Sequence, residues 1–281
     1  MPALTAILAH PDDECLGVGG ILAKYSAECV QTSLITATSG QAGRWFDGEE
    51  RPSDEEVGRV REGELRAAAA ELGVRDVSLL GYNDGRLDQV DPIEARDRIV
   101  RHLRRLRPDV VVTFAHDGAY GHPDHIAISQ LTAAACVAAA DPSLRLEPAA
   151  DGDASAAGEA PSLSGSPHIV RKLYWFVTTP DHWELYQQTF KRLVSVVDGV
   201  ERVANAWPEW SATTRVDAAD HWRTVWRAIQ HHRTQMSVYR NLDQLTERQH
   251  RTLWGEQWLY RVYSQVNGGR AREADLFDGL R

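Results

Sequence analysis

Residues 4–14, LTAILAHPDDE, begin with an apolar run and end in an imidazole, a proline and three acidic side chains. The run Leu4–Ala9 is typical of a buried β-strand, and the segment Leu16–Lys24 behind it is long enough for a helix. The charged residues therefore stand where the first strand is expected to end. Binding sites in open α/β sheets lie at the carboxyl ends of the strands. This stretch thus predicts both a fold class and the place of a site.

The same alternation of short apolar runs and longer segments continues through the first half of the chain. Runs that predict strands occur at Leu4–Ala9, Thr32–Thr38, Val77–Leu80 and Val110–Phe114. Segments that predict helices occur at Leu16–Lys24, Glu55–Leu72, Pro92–Leu106 and Pro123–Ala140. Strand–helix alternation favours an α/β fold with a mainly parallel sheet and helices on both faces.

The second half of the chain is less regular. Residues 141–167 are rich in Ala, Ser, Gly, Pro and acidic side chains, which predicts a loop or mobile insertion. A strand is predicted in HIVRKLYWFVTT from His168, followed by mostly helical sequence with long segments near Asp217–Met236 and Leu242–Val262. We therefore predict three parts: an α/β metal-binding catalytic core at 1–140, the insertion at 141–167, and a C-terminal strand and helices at 168–281 that complete the same domain and its pocket.

Composition limits the partners that this chain can have. Its net charge of −9 over 281 residues shows no basic footprint for nucleic acid or an anionic membrane surface. The three cysteines, Cys15, Cys29 and Cys136, form no C-x-x-C pair, which argues for a reducing compartment. The N-terminus lacks a secretory signal pattern, and no stretch approaches the roughly 20 apolar residues of a membrane span. We expect a cytoplasmic protein with a small-molecule substrate, and a homo-oligomer is compatible with this composition.

Two polar turns carry ligand-type side chains. His10 and Asp13 lie after the first predicted strand, and the histidines of GHPDH, His122 and His125, lie after the fourth. Pro123 at a first helical position would place both imidazoles on one side of the first turn. A catalytic zinc site takes three protein ligands and leaves one position to water. One such set is His10, Asp13 and either GHPDH histidine.

Each of these residues also has an ordinary structural reading. Asp12 or Asp13 alone could cap the helix that follows, and Asp12, pointing away from Asp13, could instead act as general base without ligating. Arg61 and Glu64 fall within an apolar helical stripe, where they would form a buried i,i+3 pair or point over the strand ends into a site. The two motifs in one sheet favour the functional reading, because chance would have to produce both.

AHPDDE near the N-terminus, with GHPDH about a hundred residues later, resembles the LmbE-like (PIG-L) family of zinc-dependent N-deacetylases. This family acts on N-acetylglucosaminyl compounds and has a Rossmann-like sheet. Further matches are RxxEL at Arg61–Leu65, LGV at Leu72–Val74, LGYxDG at Leu80–Gly85 and HxTQ at His232–Gln235. Members of the mycothiol pathway carry D-S-G where this chain has DGRL at Asp84–Leu87, and this departure weakens the resemblance to members with that particular substrate.

The resemblance implies a role for each residue of the two turns. His10, Asp13 and His125 would hold Zn²⁺, although such a ligand set also accepts Fe²⁺. Asp12 would be the general base. His122 would face the substrate.

Four further residues take roles from the same resemblance. Asp124 would orient His122 and favour its protonated form. Tyr120 would help to stabilise the oxyanion. Arg61 and Asp84 match positions that contact the sugar.

The predicted reaction is amide hydrolysis. Metal-activated water would attack the acyl carbonyl of an N-acetylglucosaminyl-type small molecule and release acetate or another acyl group, with Asp12 as base. A proton must also reach the departing amine, from Asp12 or from His122. Two alternatives remain at this point: a non-catalytic metal- or sugar-binding protein, and an amidase acting on a mycothiol-type thiol conjugate. Phosphoester hydrolysis is less favoured, because it usually requires oxygen-rich sites with two metals.

Overall fold

The computed structural model describes residues 1–146, 165–189, 194–267, 269 and 271–281. Its strands are β1 (Ala3–Leu8), β2 (Gln31–Thr38), β3 (Asp76–Tyr82), β4 (Val110–Phe114), β5 (Lys172–Val177), β6 (Val194–Val197), β7 (Val200–Val203), β8 (Thr214–Asp217) and β9 (Glu256–Ser264). Its α-helices are α1 (Asp13–Leu16), α2 (Gly19–Ala27), α3 (Asp54–Glu71), α4 (Pro92–Leu106), α5 (Gly118–Gly121), α6 (Pro123–Ala139), α7 (Pro180–Thr189), α8 (Trp222–Ile229), α9 (Met236–Tyr239) and α10 (Glu247–His250).

Seven of these strands form one sheet in the order β3-β2-β1-β4-β5-β9-β8. The pairs among β1 to β5 are parallel, whereas β9 runs antiparallel to β5 and β8 antiparallel to β9. The predicted mainly parallel sheet flanked by helices is thereby confirmed. Strands β6 and β7 pair separately as a hairpin.

The strand order reverses direction between β1 and β4. From β1 the chain builds outward through β2 to β3, and it then returns to place β4 on the other side of β1. Such a reversal opens a crevice at the carboxyl ends of the two strands. Both strands are buried along their whole length, which holds the turns that follow them on a rigid support. These turns are the AHPDDE and GHPDH segments.

Local signals define the ends of the helices near this crevice. Ser53 caps α3 by accepting a hydrogen bond from the Glu56 backbone N–H, and Asp91 caps α4 ahead of Pro92. Helix α6 begins at Pro123, as the sequence predicted. These boundaries were readable because a cap depends on a few consecutive residues.

The C-terminal part is helical where α8 follows β8, but one segment was predicted wrongly. The long helix expected near Leu242–Val262 gives way after α10 to a π-helical turn at Arg251–Gly255 and then to β9. The sequence EQWLYRVYS of β9 is rich in aromatic and branched side chains, and the strand pairs with β5 on one side and β8 on the other. Pairing on both sides outweighs a local helical pattern.

Two expectations concern the chain as a whole. No helix within the described ranges is long and apolar enough to cross a membrane. Most of the predicted insertion, residues 147–164, lies outside the described residues. The insertion and the three-part division of the chain therefore stay predictions.

Candidate metal centre

The crevice brings His10, Asp13 and His125 together, although the two histidines are 115 positions apart. His10 Nδ1 lies 3.2 Å from His125 Nε2. The Asp13 carboxylate lies 3.7 Å from His10 Nδ1 through one oxygen and 3.6 Å from His125 Nε2 through the other. His10 and His125 are buried. Three ligand-type side chains thus face a common point.

The imidazoles of His10 and His125 each use one ring nitrogen, the outer one, for hydrogen bonds outside the cluster. The other ring nitrogen, the inner one, faces the cluster. His10 Nε2 lies 3.1 Å from carboxylate oxygens of both Asp124 and Asp84. His125 Nδ1 donates to the Gly118 carbonyl at 3.2 Å. An outer acceptor of this kind sets the tautomer of a metal-binding histidine. The inner nitrogens, His10 Nδ1 and His125 Nε2, then face each other at 3.2 Å.

The electrostatics of the cluster fit a positive charge at its centre. Burial alone would lower the pKa of His10, but hydrogen bonds to Asp124 and Asp84 outweigh it and raise the pKa to about 10. Burial and the nearby His10 charge hold the pKa of His125 well below its usual value. Burial raises the pKa of Asp13 to about 7. His10 therefore carries the positive charge of the pair, and a divalent cation fits this N,N,O donor set.

We call the AHPDDE segment, residues 9–14, the site turn. Carboxylates of the turn itself hold its backbone in place. Asp13 accepts hydrogen bonds from the backbone N–H groups of Ala9 at 3.2 Å and His10 at 2.8 Å. Asp12 occupies the cap position of α1, but its side chain makes no capping hydrogen bond. The simple capping role of Asp12 is therefore excluded. Its carboxylate instead lines the cavity beside the cluster.

Two side chains from distant elements hold the Asp12 carboxylate. Tyr239 donates its hydroxyl to Asp12 Oδ2 at 2.6 Å, and an Arg61 nitrogen lies 3.3 Å from the same oxygen. Tyr239 was not identified from the sequence. No pattern in the sequence around Tyr239 marks a functional role. Its role follows only from its contact with Asp12, which lies 227 positions away.

Arg61 is a brace for the site turn, and the sugar contact implied by the resemblance stays a prediction. Its guanidinium is 4% exposed and donates to the backbone carbonyls of Gly40 at 2.7 Å and Pro11 at 2.6 Å. Both terminal nitrogens contact backbone, whereas Nε has no hydrogen-bond partner among the described residues. Glycine is required at positions 40 and 43, next to this guanidinium. A Cβ at Gly40 would lie 2.2 Å from the Arg61 guanidinium, and a Cβ at Gly43 would lie 2.3 Å from it.

The role implied for Asp124 needs correction. Its carboxylate does not orient His122. It pairs with His10 Nε2 and accepts the backbone N–H groups of Gly85 at 2.7 Å and Leu87 at 3.0 Å. Asp124 therefore orients a candidate ligand. Asp84 shares this task, with its other oxygen accepting from the Ala42 backbone N–H at 3.1 Å, and its sugar contact stays a prediction.

His122 and Tyr120 lie at the edge of the cluster. His122 Nδ1 accepts the Asp124 backbone N–H at 3.2 Å, and its ring lies 4.7 Å from that of His125. Burial and the His10 charge lower the pKa of His122, so the protonated form expected from Asp124 is not favoured. His10, His122 and His125 also form a group whose ligand atoms lie within 4.8 Å of one another. Tyr120 lines the cavity with its ring 5.4 Å from that of His125.

A second buried cluster lies behind the site turn. Glu14 accepts from His232 at 2.6 Å and from the Cys15 thiol at 3.0 Å, and it also accepts the Asp12 backbone N–H at 2.9 Å. The side chains of Glu14, Cys15 and His232 are at most 1% exposed. Cys15 is thus a buried helix residue rather than part of the main cluster. His232 supports the turn from behind.

Glu64 and Arg61 do not form the i,i+3 pair that their spacing suggested. Glu64 accepts the Thr234 backbone N–H at 2.8 Å and the Thr234 hydroxyl at 2.7 Å. Arg61 instead reaches the site turn from the same face of α3. The two charged residues in the apolar stripe therefore connect α3 to two different segments around the site.

Comparisons with known proteins identify the relatives of this chain. Residues 5–136 match the family model described as PIG-L: GlcNAc-PI de-N-acetylase. The chain is 32% identical over 261 residues to 1D-myo-inositol 2-acetamido-2-deoxy-alpha-D-glucopyranoside deacetylase of Thermobifida fusca strain YX, covering 84% of each chain.

Solved structures show the same fold at lower identity. A conserved protein from Thermus thermophilus superposes with a TM-score of 0.64 at 23% identity, covering 95% of this chain and 98% of that one. The N,N'-diacetylchitobiose deacetylase from Pyrococcus horikoshii gives a TM-score of 0.63 at 19% identity, covering 92% and 83%. These similarities concern architecture alone.

Proposed function

This chain belongs to the PIG-L (LmbE-like) family, and we propose that it is a metal-dependent hydrolase that removes the acetyl group from the amide nitrogen of an N-acetylglucosaminyl-type small molecule. The observation that carries the proposal is the convergence of two inner imidazole nitrogens and the Asp13 carboxylate beside the oriented Asp12 carboxylate. The relatives named as deacetylases of an acetamido sugar support the substrate class.

The proposed ligands are His10 Nδ1, His125 Nε2 and Asp13, and the proposed ion is Zn²⁺. The chemistry that such an ion supplies is Lewis acidity, which polarises a carbonyl and makes water more acidic. Asp124 and Asp84 hold the His10 ring in position through Nε2, and the Gly118 carbonyl does the same for His125. Removing outer contacts of this type typically changes metal affinity by roughly 10- to 100-fold.

Asp12 is the proposed general base. Tyr239 and Arg61 fix its carboxylate at the cavity wall, where it would take a proton from the attacking water. Asp12 and His122 are the two proposed groups for returning a proton to the departing nitrogen. Tyr120 lines the cavity and its ring lies 5.8 Å from that of His122; these two residues are the proposed contacts of the reacting carbonyl.

The test is acetate release from N-acetylglucosaminides by protein reconstituted with Zn²⁺. We expect turnover that a chelator abolishes and added Zn²⁺ restores. Metal binding or sugar binding without acetate release would support the non-catalytic alternative. Cleavage of the amide bond in a mycothiol-type thiol conjugate, without acetate release from N-acetylglucosaminides, would support the amidase alternative.

The role of Asp12 has its own prediction. Asp12→Asn is preferable to alanine, because asparagine tolerates the positive φ at this position. We expect full metal content by elemental analysis and a kcat lower by about 10²- to 10⁴-fold. Asp13→Asn is the matched control and should lose metal. A near-normal kcat in Asp12→Asn would remove Asp12 from the base role.

A further inference from the structure

A cavity of about 230 Å³ opens from the candidate metal centre towards the β5 and β9 side of the sheet. Asp12, Asp13 and His125 line one end. The cavity then passes between the ends of β5 and β9, α7 and the segment around α9. The reacting amide must lie at the first end, so whatever group is attached to it on this side enters the cavity.

The walls of this cavity beyond the metal centre are largely apolar. The His125 ring stacks on Phe114 with centroids 3.9 Å apart, and Phe114 packs on Phe176 at 4.7 Å. This aromatic row leads from a candidate ligand into the cavity. Its far walls include Leu16, Phe176, Trp183, Val238, Leu253 and Trp258.

Charge in the cavity is confined to carboxylates. Asp12 and Asp13 stand at the metal end and Glu256 at the other, and no Lys or Arg occurs among the described residues that line it. An anionic group in the part of the cavity near Glu256 would therefore meet a carboxylate and no Lys or Arg on the described walls. Thr178, His182, Tyr186 and Gln257 add hydrogen-bonding groups to these mostly apolar walls.

The opposite flank of the metal centre, towards β2 and β3, is polar. Asp84 lies there 3.1 Å from His10 Nε2. The side chains of Gln41 and Asn83 hydrogen-bond each other nearby at 3.2 Å. Sugar hydroxyls fit this polar flank. An amide at the metal centre would then direct its acyl group away from the sugar and into the apolar cavity.

We propose that the apolar cavity between the metal centre and the β5–β9 edge is an acyl-group subsite, and that the protein prefers N-acyl amino sugars whose acyl chain is longer than acetyl. This inference rests on the proposed function and deepens it, since it names the acyl groups that the same site prefers. Burial of each additional methylene should raise kcat/KM about fourfold until the cavity is full.

The experiment compares N-acetyl-, N-butanoyl-, N-hexanoyl- and N-octanoylglucosamine with the Zn²⁺-reconstituted full chain. Every substrate yields the same amine, so one assay of glucosamine release measures the whole series. We expect kcat/KM to rise by about tenfold or more between acetyl and the preferred chain. A series in which acetyl is the best substrate would overturn the proposal.

A second arm separates the acyl chain from the other source of an apolar group, the aglycone. Methyl, butyl and octyl glycosides of N-acetylglucosamine carry the same chains on the opposite side of the amide. We expect these chains to change kcat/KM by less than about twofold. A gain with the glycosides alone, or with a disaccharide, would assign the cavity to the aglycone and overturn the acyl assignment.

A cavity-filling variant tests the location. Val238→Phe places a larger side chain at the cavity wall, and the ratio of octanoyl to acetyl kcat/KM should fall by about fivefold or more. Val137→Phe is the control, because Val137 is 72% exposed on α6 and does not line the cavity. An unchanged ratio in Val238→Phe would place the chain elsewhere.

Calorimetric titration of the metal-free protein separates this proposal from the proposed function. N-octanoylglucosamine should bind about tenfold or more tightly than N-acetylglucosamine, whether or not any substrate is hydrolysed. Tight binding without turnover would refute the deacetylase function and keep the subsite. Turnover of the acetyl compound without preferential binding or hydrolysis of longer chains would keep the function and refute the subsite.

Discussion

At Asp12 the backbone adopts a φ of 100°. Such a conformation costs on the order of 1–3 kcal/mol for a residue with a Cβ, and it persists where its surroundings hold it. Here Glu14 accepts the Asp12 backbone N–H at 2.9 Å, while Tyr239 and Arg61 hold the carboxylate. Strain at one residue is thus balanced by contacts from three directions, and the carboxylate is oriented before substrate binds.

Tyr239→Phe isolates one of these contacts. Removing the 2.6 Å hydrogen bond to Asp12 frees the carboxylate to rotate without changing the cavity wall. We expect kcat to fall about tenfold with KM changed less than about twofold, because the bond orients a charged group that acts only in the chemical step. The measurement is steady-state kinetics of deacetylation at several substrate concentrations.

Tyr263→Phe is the matched control for this measurement. Its hydroxyl also donates one hydrogen bond, to the Val170 carbonyl at 3.2 Å, far from the site. It should keep kcat. Equal losses in the two variants, or a rise in KM alone for Tyr239→Phe, would show that Tyr239 does not act through Asp12.

At the scale of elements, the segment His232–Gln235 connects α3 to the site. Thr234 bonds Glu64 on α3, His232 bonds Glu14 on the site turn, and the Gln235 amide donates to the Arg44 carbonyl at 3.1 Å. The HxTQ pattern therefore has a structural explanation. It locks the C-terminal half of the chain onto the two elements that carry Asp12 and Arg61.

Glu64→Ala should destabilise this connection. It leaves the buried backbone N–H and hydroxyl of Thr234 without their acceptor, at a cost of about 1–3 kcal/mol in the free energy of unfolding. Urea denaturation measures the change. Glu62→Ala on the same helix is the control, because Glu62 is exposed and pairs with exposed Arg66, a contact worth less than about 1 kcal/mol. Equal effects of the two substitutions would contradict a stabilising role of the Glu64–Thr234 hydrogen bonds.

At the scale of the whole molecule, Glu273 ties the last residues of the chain to the sheet. Its carboxylate accepts hydrogen bonds from Lys172 at 2.9 Å, Tyr174 at 2.8 Å and Thr214 at 2.7 Å. Burial disfavours the charge, but these bonds and one from Asn267 outweigh it and lower the pKa of Glu273 to about 2. One carboxylate thus joins β5, β8 and the C-terminal segment.

The lowered pKa predicts a dependence of stability on pH. The unperturbed pKa of a glutamate is 4.5, so Glu273 contributes its full stabilisation above that pH and loses it as the pH falls towards about 2. We expect Glu273→Gln to be clearly less stable than the original protein at about pH 7, with the difference shrinking below pH 4.5 and smallest near pH 2. Guanidinium denaturation of both proteins across this pH range measures the difference. A difference that stays constant with pH would contradict the assignment.

The parallel half of the sheet was predictable because its signals are local. Each strand from β1 to β4 is a short apolar run, and α6 begins at the proline that marks its first turn. The antiparallel edge was not predictable, because β9 is stabilised by its two neighbours rather than by its own pattern. Of the site, the two ligand-bearing turns stood out by composition, whereas Asp124, Arg61 and Tyr239 took their partners from distant segments.

By itself, the sequence determined that two charged turns follow strands of an α/β sheet, because hydrophobic periodicity and helix caps act over a few consecutive residues. The tertiary structure alone decided which side chains meet at those turns. Arg61 and Tyr239 reach Asp12 across 49 and 227 positions, and Asp124 turns to His10 instead of His122. Contacts between such distant positions depend on packing of the complete fold, which no local pattern encodes.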